Sequence, residues 1–293
     1  MPSGKKYRRE ASVVKALYSA KEYWASVADA YGWVDADGFS PVLHPGTPNW
    51  FNTTIDRLQE QAWNRGLERC ALPADSLVLD VGCGTGRWLA RYQERRLRPV
   101  GLDATPGMLE QAANRNLSCP LVAALAQTLP FRNEAFDLVS AVTVIQHIPP
   151  DGQREALKEM ARVLRPKGHL LLLDLIRGEG PHIFPRSPSG WITEASSIGL
   201  SLVEWYGQEY FLLDRGFVNL MHGMRGLSGH ASEPGLPVQL GNATMQEKPR
   251  STGRLLYWMA RKVTCKASEW LEPVARKTCP GEWATHGLFI FKK

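Results

Sequence analysis

Val78-Leu79-Asp80-Val81-Gly82-Cys83-Gly84-Thr85-Gly86-Arg87-Trp88 is the stretch on which the reading of this chain turns. Leu77 to Val81 is a short apolar run carrying one acid near its end, the pattern of a buried parallel strand. The three glycines that follow permit a sharp turn and let a ligand approach the backbone closely. From Arg87 onward, Trp88, Leu89 and Tyr92 recur at helical spacing. Strand, turn and helix form the first unit of a doubly wound sheet, and such sheets bind ligands at their carboxyl edge.

The details of the turn select among ligands. A dinucleotide fingerprint reads G-x-G-x-x-G, with a helix amino terminus facing a pyrophosphate. Here the pattern is Gly82-x-Gly84-x-Gly86, and Asp80 stands just before it. A carboxylate there repels a pyrophosphate and suits a ligand carrying an ammonium or sulfonium charge. Further on, Pro99-Val100-Gly101-Leu102 reads as a second strand ending in Asp103, placed to accept hydrogen bonds from both hydroxyls of a ribose.

Working outward, residues 77–175 alternate strand and helix. Strands are expected near 77–81, 98–102, 120–123, 136–142 and 169–175, and helices near 86–96, 106–115 and 151–165. Gly168, after Arg165-Pro166-Lys167, is expected to cap the last of these helices. Alternation of this kind calls for parallel pairing with helical crossovers on both faces. Three prolines make 181–188 a loop, and Ser187 or Ser189 then starts a short helix that runs through Ser197 and ends at Gly199. Residues 200–211 read as a sixth strand.

Ahead of the core, residues 11–31 place Val13, Leu17, Trp24, Val27 or Ala28, and Tyr31 on one face of an amphipathic helix. A second helix is expected from about Trp50 to Arg69, capped by Thr47 or Asn49. Asn52, Arg57 and Gln61 on it face either the cleft or solvent.

Composition bounds the rest. With 293 residues, 44% hydrophobic and 22% charged, the chain has ample material for a globular core. Five cysteines without C-x-x-C spacing suggest neither a disulfide framework nor a zinc site, which fits a reducing cytosol and a cytoplasmic protein. No His/Asp/Glu cluster has metal-ligand spacing. The net charge of +6 sits partly in Lys5, Lys6, Arg8 and Arg9, a basic tip without the apolar stretch of a signal peptide. Nowhere does an apolar run reach membrane-spanning length.

Four matches in order give the chain a known likeness. They are D-x-G-C-G-T-G at Asp80 to Gly86, G-L-D at Gly101 to Asp103, L-P-F…F-D-L-V at Leu129 to Val139, and L-R-P-K-G at Leu164 to Gly168. Over roughly Leu77 to Tyr206, plus a closing strand, the chain resembles the class I S-adenosylmethionine-dependent methyltransferases that act on small molecules. The resemblance implies an α/β, Rossmann-like, seven-stranded sheet whose last strand is antiparallel. That strand is found only at 286–291, so 212–283 becomes an insertion. The implied organisation is a helical cap over 1–70, a donor-binding core over 71–211, an insertion serving as lid or acceptor cap over 212–283, and a final core strand over 284–293.

The same resemblance implies the donor site, with S-adenosyl-L-methionine bound and S-adenosyl-L-homocysteine left as product. Gly82, Cys83 and Gly84 lie against the methionine part, and Asp80 neutralises positive charge there. Asp103 takes the ribose, while Ala104 and Met108 pack near the adenine. An acid commonly stands four residues before L-P-F to receive the adenine amino group; here that position is Leu125, so Ala126 and Gln127 have to replace it. Thr143, between Val142 and Val144, forms the floor beneath the transferring methyl, and Tyr23 or Tyr31 contacts the methionine part. Cys83 equally reads as a small side chain filling a tight turn.

For the chemical step, His147 is the candidate general base, just past the fourth strand; a loop histidine bonded to backbone is the alternative reading. His182 and Arg186 are candidates for contacts with the acceptor. The acceptor is expected to be a small molecule methylated on oxygen or nitrogen. Alternatives are C-methylation of a lipid-like or prenyl diphosphate acceptor, and a non-catalytic binding protein that keeps the fold. Nucleic acid ranks low as a partner because the charges are dispersed and interleaved with acids. A helix expected over 251–272 sets an apolar stripe beside Arg254, Arg261, Lys262 and Lys266, open to packing, to a lid or to membrane-surface contact.

Overall fold

The computed structural model describes residues 18–31, 47–115, 117–178, 180, 182–227 and 252–293. Its centre is one seven-stranded sheet: β1 (Leu77–Val81), β2 (Arg98–Asp103), β3 (Leu121–Ala123), β4 (Phe136–Val142), β5 (Leu164–Leu175), β6 (Ser201–Gln208) and β7 (His286–Lys292). The spatial order is β3-β2-β1-β4-β5-β7-β6. The first five strands pair in parallel, and β7 runs antiparallel between β5 and β6. Strand order reverses between β1 and β4, so the crevice that such sheets open at the reversal lies beside the glycine turn.

Eight α-helices are described: α1 (Ala20–Tyr31), α2 (Asn49–Cys70), α3 (Arg87–Glu94), α4 (Pro106–Ala113), α5 (Pro150–Val163), α6 (Pro188–Ser197), α7 (Leu212–Leu227) and α8 (Thr252–Thr278). Both faces of the sheet are covered. On one, Phe289 and Phe291 of β7 join Leu170 and Leu172 of β5 and Trp191 of α6. On the other, Leu288 and Ile290 join Leu171 and Leu173 and the α2 residues Ala62, Trp63 and Leu67. The period-two alternation of β5 and β7 feeds both layers, which is why these strands read as unbroken apolar runs. Gly66 lets α2 approach closely: a Cβ there would lie 2.6 Å from Leu171 Cδ1.

Four expectations change. The helix before β5 ends at Val163, and Leu164 to Gly168 already belong to the strand, so Gly168 is no helix cap. Pairing skips from Phe136↔Leu164 to Leu138↔His169, and Lys167 takes φ 69°, so the R-P-K-G segment is a β-bulge that accommodates Pro166. Pro48, not Thr47 or Asn49, holds the amino-cap position of α2, without a side-chain cap bond. Arg57 and Gln61 of α2 turn toward α8, where Arg57 pairs with Glu269 at 3.2 Å and Gln61 accepts from Arg276 at 3.3 Å. The sixth strand stops at Gln208, short of Phe211.

The segment expected as an insertion carries α7 and α8; α8 packs on α7 and on α2. Asp214 accepts from Arg261 at 2.9 Å and from the Thr264 hydroxyl at 3.0 Å. Glu272 accepts from the backbone N–H groups of Glu209 and Tyr210, tying α8 to the end of β6. Val13 and Leu17 lie outside the described residues, as does the side chain of Tyr31. No helix among the described residues is long and apolar enough to cross a membrane.

Candidate active site

The glycine turn after β1 opens into a cleft walled by Gly82, Cys83, Gly84, Arg87 and Trp88 on one side, Asp103, Ala104, Thr105 and Met108 on a second, and Leu125 to Gln127 with Val142 to Val144 on a third. Ala20, Lys21 and Trp24 of α1 and His147 line its mouth. Val27 and Ala28 bury themselves against Met108, which docks α1 on α4 across the cleft.

The turn is built by positive φ. Gly82 has φ 70° and Gly84 φ 52°. A Cβ on Gly82 would lie 2.4 Å from Val144 Cγ2, so glycine is required both by conformation and by the approach of the floor. The amides of Gly82 and Cys83 bond back to the Leu102 carbonyl, at 2.7 and 2.9 Å, and lock the turn to β2. Cys83 is buried and its thiol is pushed well above its ordinary value by burial, so it fills space without nucleophilic character. Thr143 carries φ 55°, a strained conformation for a β-branched residue, with its hydroxyl bonded to the Val142 carbonyl at 2.7 Å.

Two carboxylates flank the turn. Asp103 accepts from Gly84 N at 2.9 Å through Oδ2 and from Thr105 N at 2.8 Å through Oδ1. The Thr105 hydroxyl and the Ala104 backbone also act on this carboxylate as donors. Burial raises the Asp103 pKa against the opposing effect of these backbone donors. Asp80 is fully buried behind the turn, where Oδ1 accepts from the Ser140 hydroxyl at 2.9 Å and Oδ2 has no partner among the described residues. Burial lifts its pKa to about 7, with the Asp103 charge adding and Ser140 and Arg87 opposing.

His147 is held rather than free. Its Nδ1 lies 3.1 Å from the His182 carbonyl, which makes Nδ1 the donor, and its Nε2 lies 3.2 Å from the Gln146 amide nitrogen. Both ring nitrogens are therefore engaged, and burial drives the pKa to about 3. This corrects the expectation of a general base: a group so weakly basic, with its lone pair occupied, is a poor proton acceptor. The other three aromatic and polar candidates shift in the same way. Tyr23 stacks on His182 at 4.5 Å instead of lining the cleft, and the neighbouring Trp24 lines it, edge-on to His147 at 4.9 Å. Arg186 is committed to Glu194 at 2.8 Å and Gln153 at 3.2 Å. His182 stacks between Tyr23 and His147, with its Nδ1 unpartnered among the described residues.

A buried polar chain absent from the sequence reading runs from the cleft wall inward. Arg87 donates to Asp56 at 2.6 Å and to Gln59 at 2.9 Å; Gln59 donates to Glu209 at 3.4 Å; Glu209 pairs with His286 Nδ1 at 2.9 Å. Burial alone would lower the His286 pKa, but the Glu209 carboxylate outweighs it and the imidazole is held above its ordinary value. Its members come from four elements or junctions, so no local spacing announces it.

A model described as a methyltransferase domain matches residues 78–168. The human "Probable tRNA methyltransferase 9B" is 38% identical over 117 residues, 39% of this chain and 25% of that protein. "Methyltransferase GfsG" of Streptomyces halstedii is 31% identical over 187 residues, 60% of this chain and 61% of that protein. The chain thus spans less than two thirds of the relatives it matches. The crystal structure of "the [4+2]-Cyclase SpnF" superposes with TM-score 0.58 at 18% identity, covering 93% of this chain and 94% of that one, a likeness of fold alone.

Proposed function

We propose that this chain, whose residues 78–168 match a methyltransferase domain, transfers a methyl group from S-adenosylmethionine to an oxygen or nitrogen of a small acceptor. The observation that carries the proposal is the pair of carboxylates at the reversal of strand order. Asp103 has both oxygens fixed by backbone donors beside the cleft, and Asp80 has one buried oxygen without a partner among the described residues. Such an orphan is costly unless a cationic ligand or a bridging water satisfies it. The donor, with its ammonium, sulfonium and ribose hydroxyls, fits this set.

In this reading Gly82 and Gly84 seat the methionine part and Cys83 fills the turn behind it. Ala104 and Met108 form the apolar wall for the adenine, and the Ala126 and Gln127 segment replaces the acid that Leu125 lacks. When bound, S-adenosylmethionine supplies a sulfonium methyl group open to in-line attack. The chain's own part is alignment and exclusion of water, the chief needs of such a displacement. Trp24, Val142 and Val144 give an apolar enclosure, and Thr143 holds the floor in a fixed, strained turn. His147 positions the 182–184 loop.

Without a basic side chain at His147, an acceptor presenting its own lone pair at working pH is favoured, a neutral amine or an easily ionised hydroxyl. The match to a tRNA methyltransferase spans 117 residues and a quarter of that protein, so it carries no acceptor to this chain. C-methylation is less well supported, since Glu204 pairs with Arg69 at 2.6 Å and Glu209 with His286. The test is incubation with S-adenosylmethionine and a panel of amines and phenols, read by the mass of methylated product. Product from amines or phenols supports the reading, and product only from RNA overturns it.

A further inference from the structure

The outer face of α8 carries five of the eleven exposed large apolar side chains among the described residues. From Leu256 onward its exposed residues are Leu256, Met259, Lys262, Val263, Lys266, Trp270, Pro273, Val274, Lys277 and Thr278. None is acidic. The helix's two acids lie elsewhere: Glu272 is buried and Glu269 pairs with Arg57. The large apolar side chains are not marginally open, with Met259 57%, Val263 69% and Trp270 80% exposed. At 100° per residue, Leu256, Met259, Val263, Trp270 and Val274 fall in one narrow stripe, and Lys262, Lys266 and Lys277 line one flank of it. The stripe runs about 27 Å at helical rise. The opposite face of α8 is already spent on packing, through Tyr257, Cys265, Ser268 and Ala275.

Three occupants compete for such a face. A second copy of the chain would oppose lysines with lysines, with no acid on either side to relieve them. An acidic protein matches the lysines, yet a long straight stripe offers no pocket to fix its side chains in register. A lipid surface needs no register: it takes apolar side chains at its acyl boundary, a tryptophan at headgroup level, and lysines reaching anionic headgroups. We propose that the Leu256–Thr278 face of α8 is a membrane-surface docking site, selective for anionic phospholipid. The helix lies in the interface and does not span it, consistent with the absence of a spanning helix among the described residues. This assignment stands independently of which acceptor is methylated.

The test is co-sedimentation of the full chain with phosphatidylcholine vesicles, with and without phosphatidylserine. Binding to the mixed vesicles alone, reversed by salt, is expected. Lys262→Ala combined with Lys266→Ala should weaken it roughly 25-fold, at about fivefold for each lysine. Trp270→Ala should weaken it too and abolish the blue shift of tryptophan emission that vesicles cause in the parent chain. Circular dichroism of each variant controls for folding, which these exposed positions should leave intact. Equal binding to neutral vesicles, or binding to neither, overturns the proposal. So does capture on poly-glutamate without vesicle binding, or a dimer by light scattering that Trp270→Ala dissociates in the absence of lipid.

Discussion

The imidazole of His182 lies parallel to that of His147, with 5.5 Å between ring centroids and 6° between planes, while the His182 carbonyl accepts from His147 Nδ1. The two histidines therefore act as a clasp between the loop after β5 and the turn after β4. Tyr23 extends the stack from α1, and Trp24 closes on His147 from the side.

A clasp and a base respond differently to substitution. His147→Asn keeps an amide donor for the His182 carbonyl and should retain turnover within about threefold. His147→Ala loses both ring bonds and should lower turnover by roughly 10–100-fold. With the His147 pKa near 3, the pH profile of kcat at saturating donor should be the same in the parent and in His147→Asn between pH ~5 and ~9. Loss of an acid limb near neutrality in the variant would restore the general-base role.

Asp103 should dominate donor affinity. Asp103→Ala removes the acceptor for two backbone donors and, in the proposed complex, for the ribose. At 1.5–3 kcal/mol for a bond to a charged group, the loss should be on the order of a hundredfold in the Kd for S-adenosylhomocysteine. Unchanged affinity by titration would remove the ribose assignment.

Donor binding should be coupled to protons through Asp80. Its folded pKa, about 7, lies above the unfolded value of 3.8. In the donor-free protein its stabilising contribution is thus full below pH ~4 and is lost as pH rises through ~7. A cationic donor favours the ionised form, so affinity should rise with pH up to about 7 and level off above it. At pH ~6, calorimetry in two buffers of different ionisation enthalpy should report proton release, and Asp80→Asn should abolish it. Affinity flat with pH in the parent chain would contradict the placement of positive charge beside Asp80.

Gly82→Ala should cost about 2–4 kcal/mol, from the left-handed backbone and the overlap with Val144 together. Adding Val144→Ala relieves the overlap but not the backbone, leaving about 1–2 kcal/mol. Denaturant titration of Gly82→Ala, Val144→Ala and the double variant separates the parts. A single variant as stable as the parent would mean that the turn adopts another conformation.

Legibility from sequence followed locality. Apolar runs bounded by glycine and proline placed β1, β2 and β4 within a residue, and the Asp80 to Gly86 pattern located the cleft before any coordinate. Leu164 to Gly168 misled because proline followed by glycine is also how helices end. Only pairing with Phe136 and Leu138, across the sheet, makes the segment a bulge. Tyr23 and Trp24 are one helical step apart, and the docking of α1 on Met108 decides which of them reaches the cleft. Asp56, Gln59, Arg87, Glu209 and His286 each look like ordinary surface residues in their own windows. Their union is a product of tertiary structure, beyond any periodicity. The two carboxylates beside the glycine turn were legible because each ends or nearly ends a strand at the carboxyl edge of the sheet. The acceptor side has no such fixed pattern.

The most direct measurement is calorimetric titration of the full chain with S-adenosylmethionine and with S-adenosylhomocysteine at pH ~7.5, above the Asp80 transition. The carboxylate pair predicts one site per chain with a Kd on the order of micromolar, about −8 kcal/mol, and loss of that site in Asp103→Ala. Absence of heat with either ligand, in a sample whose dichroism shows the folded α/β chain, would contradict the account at its centre.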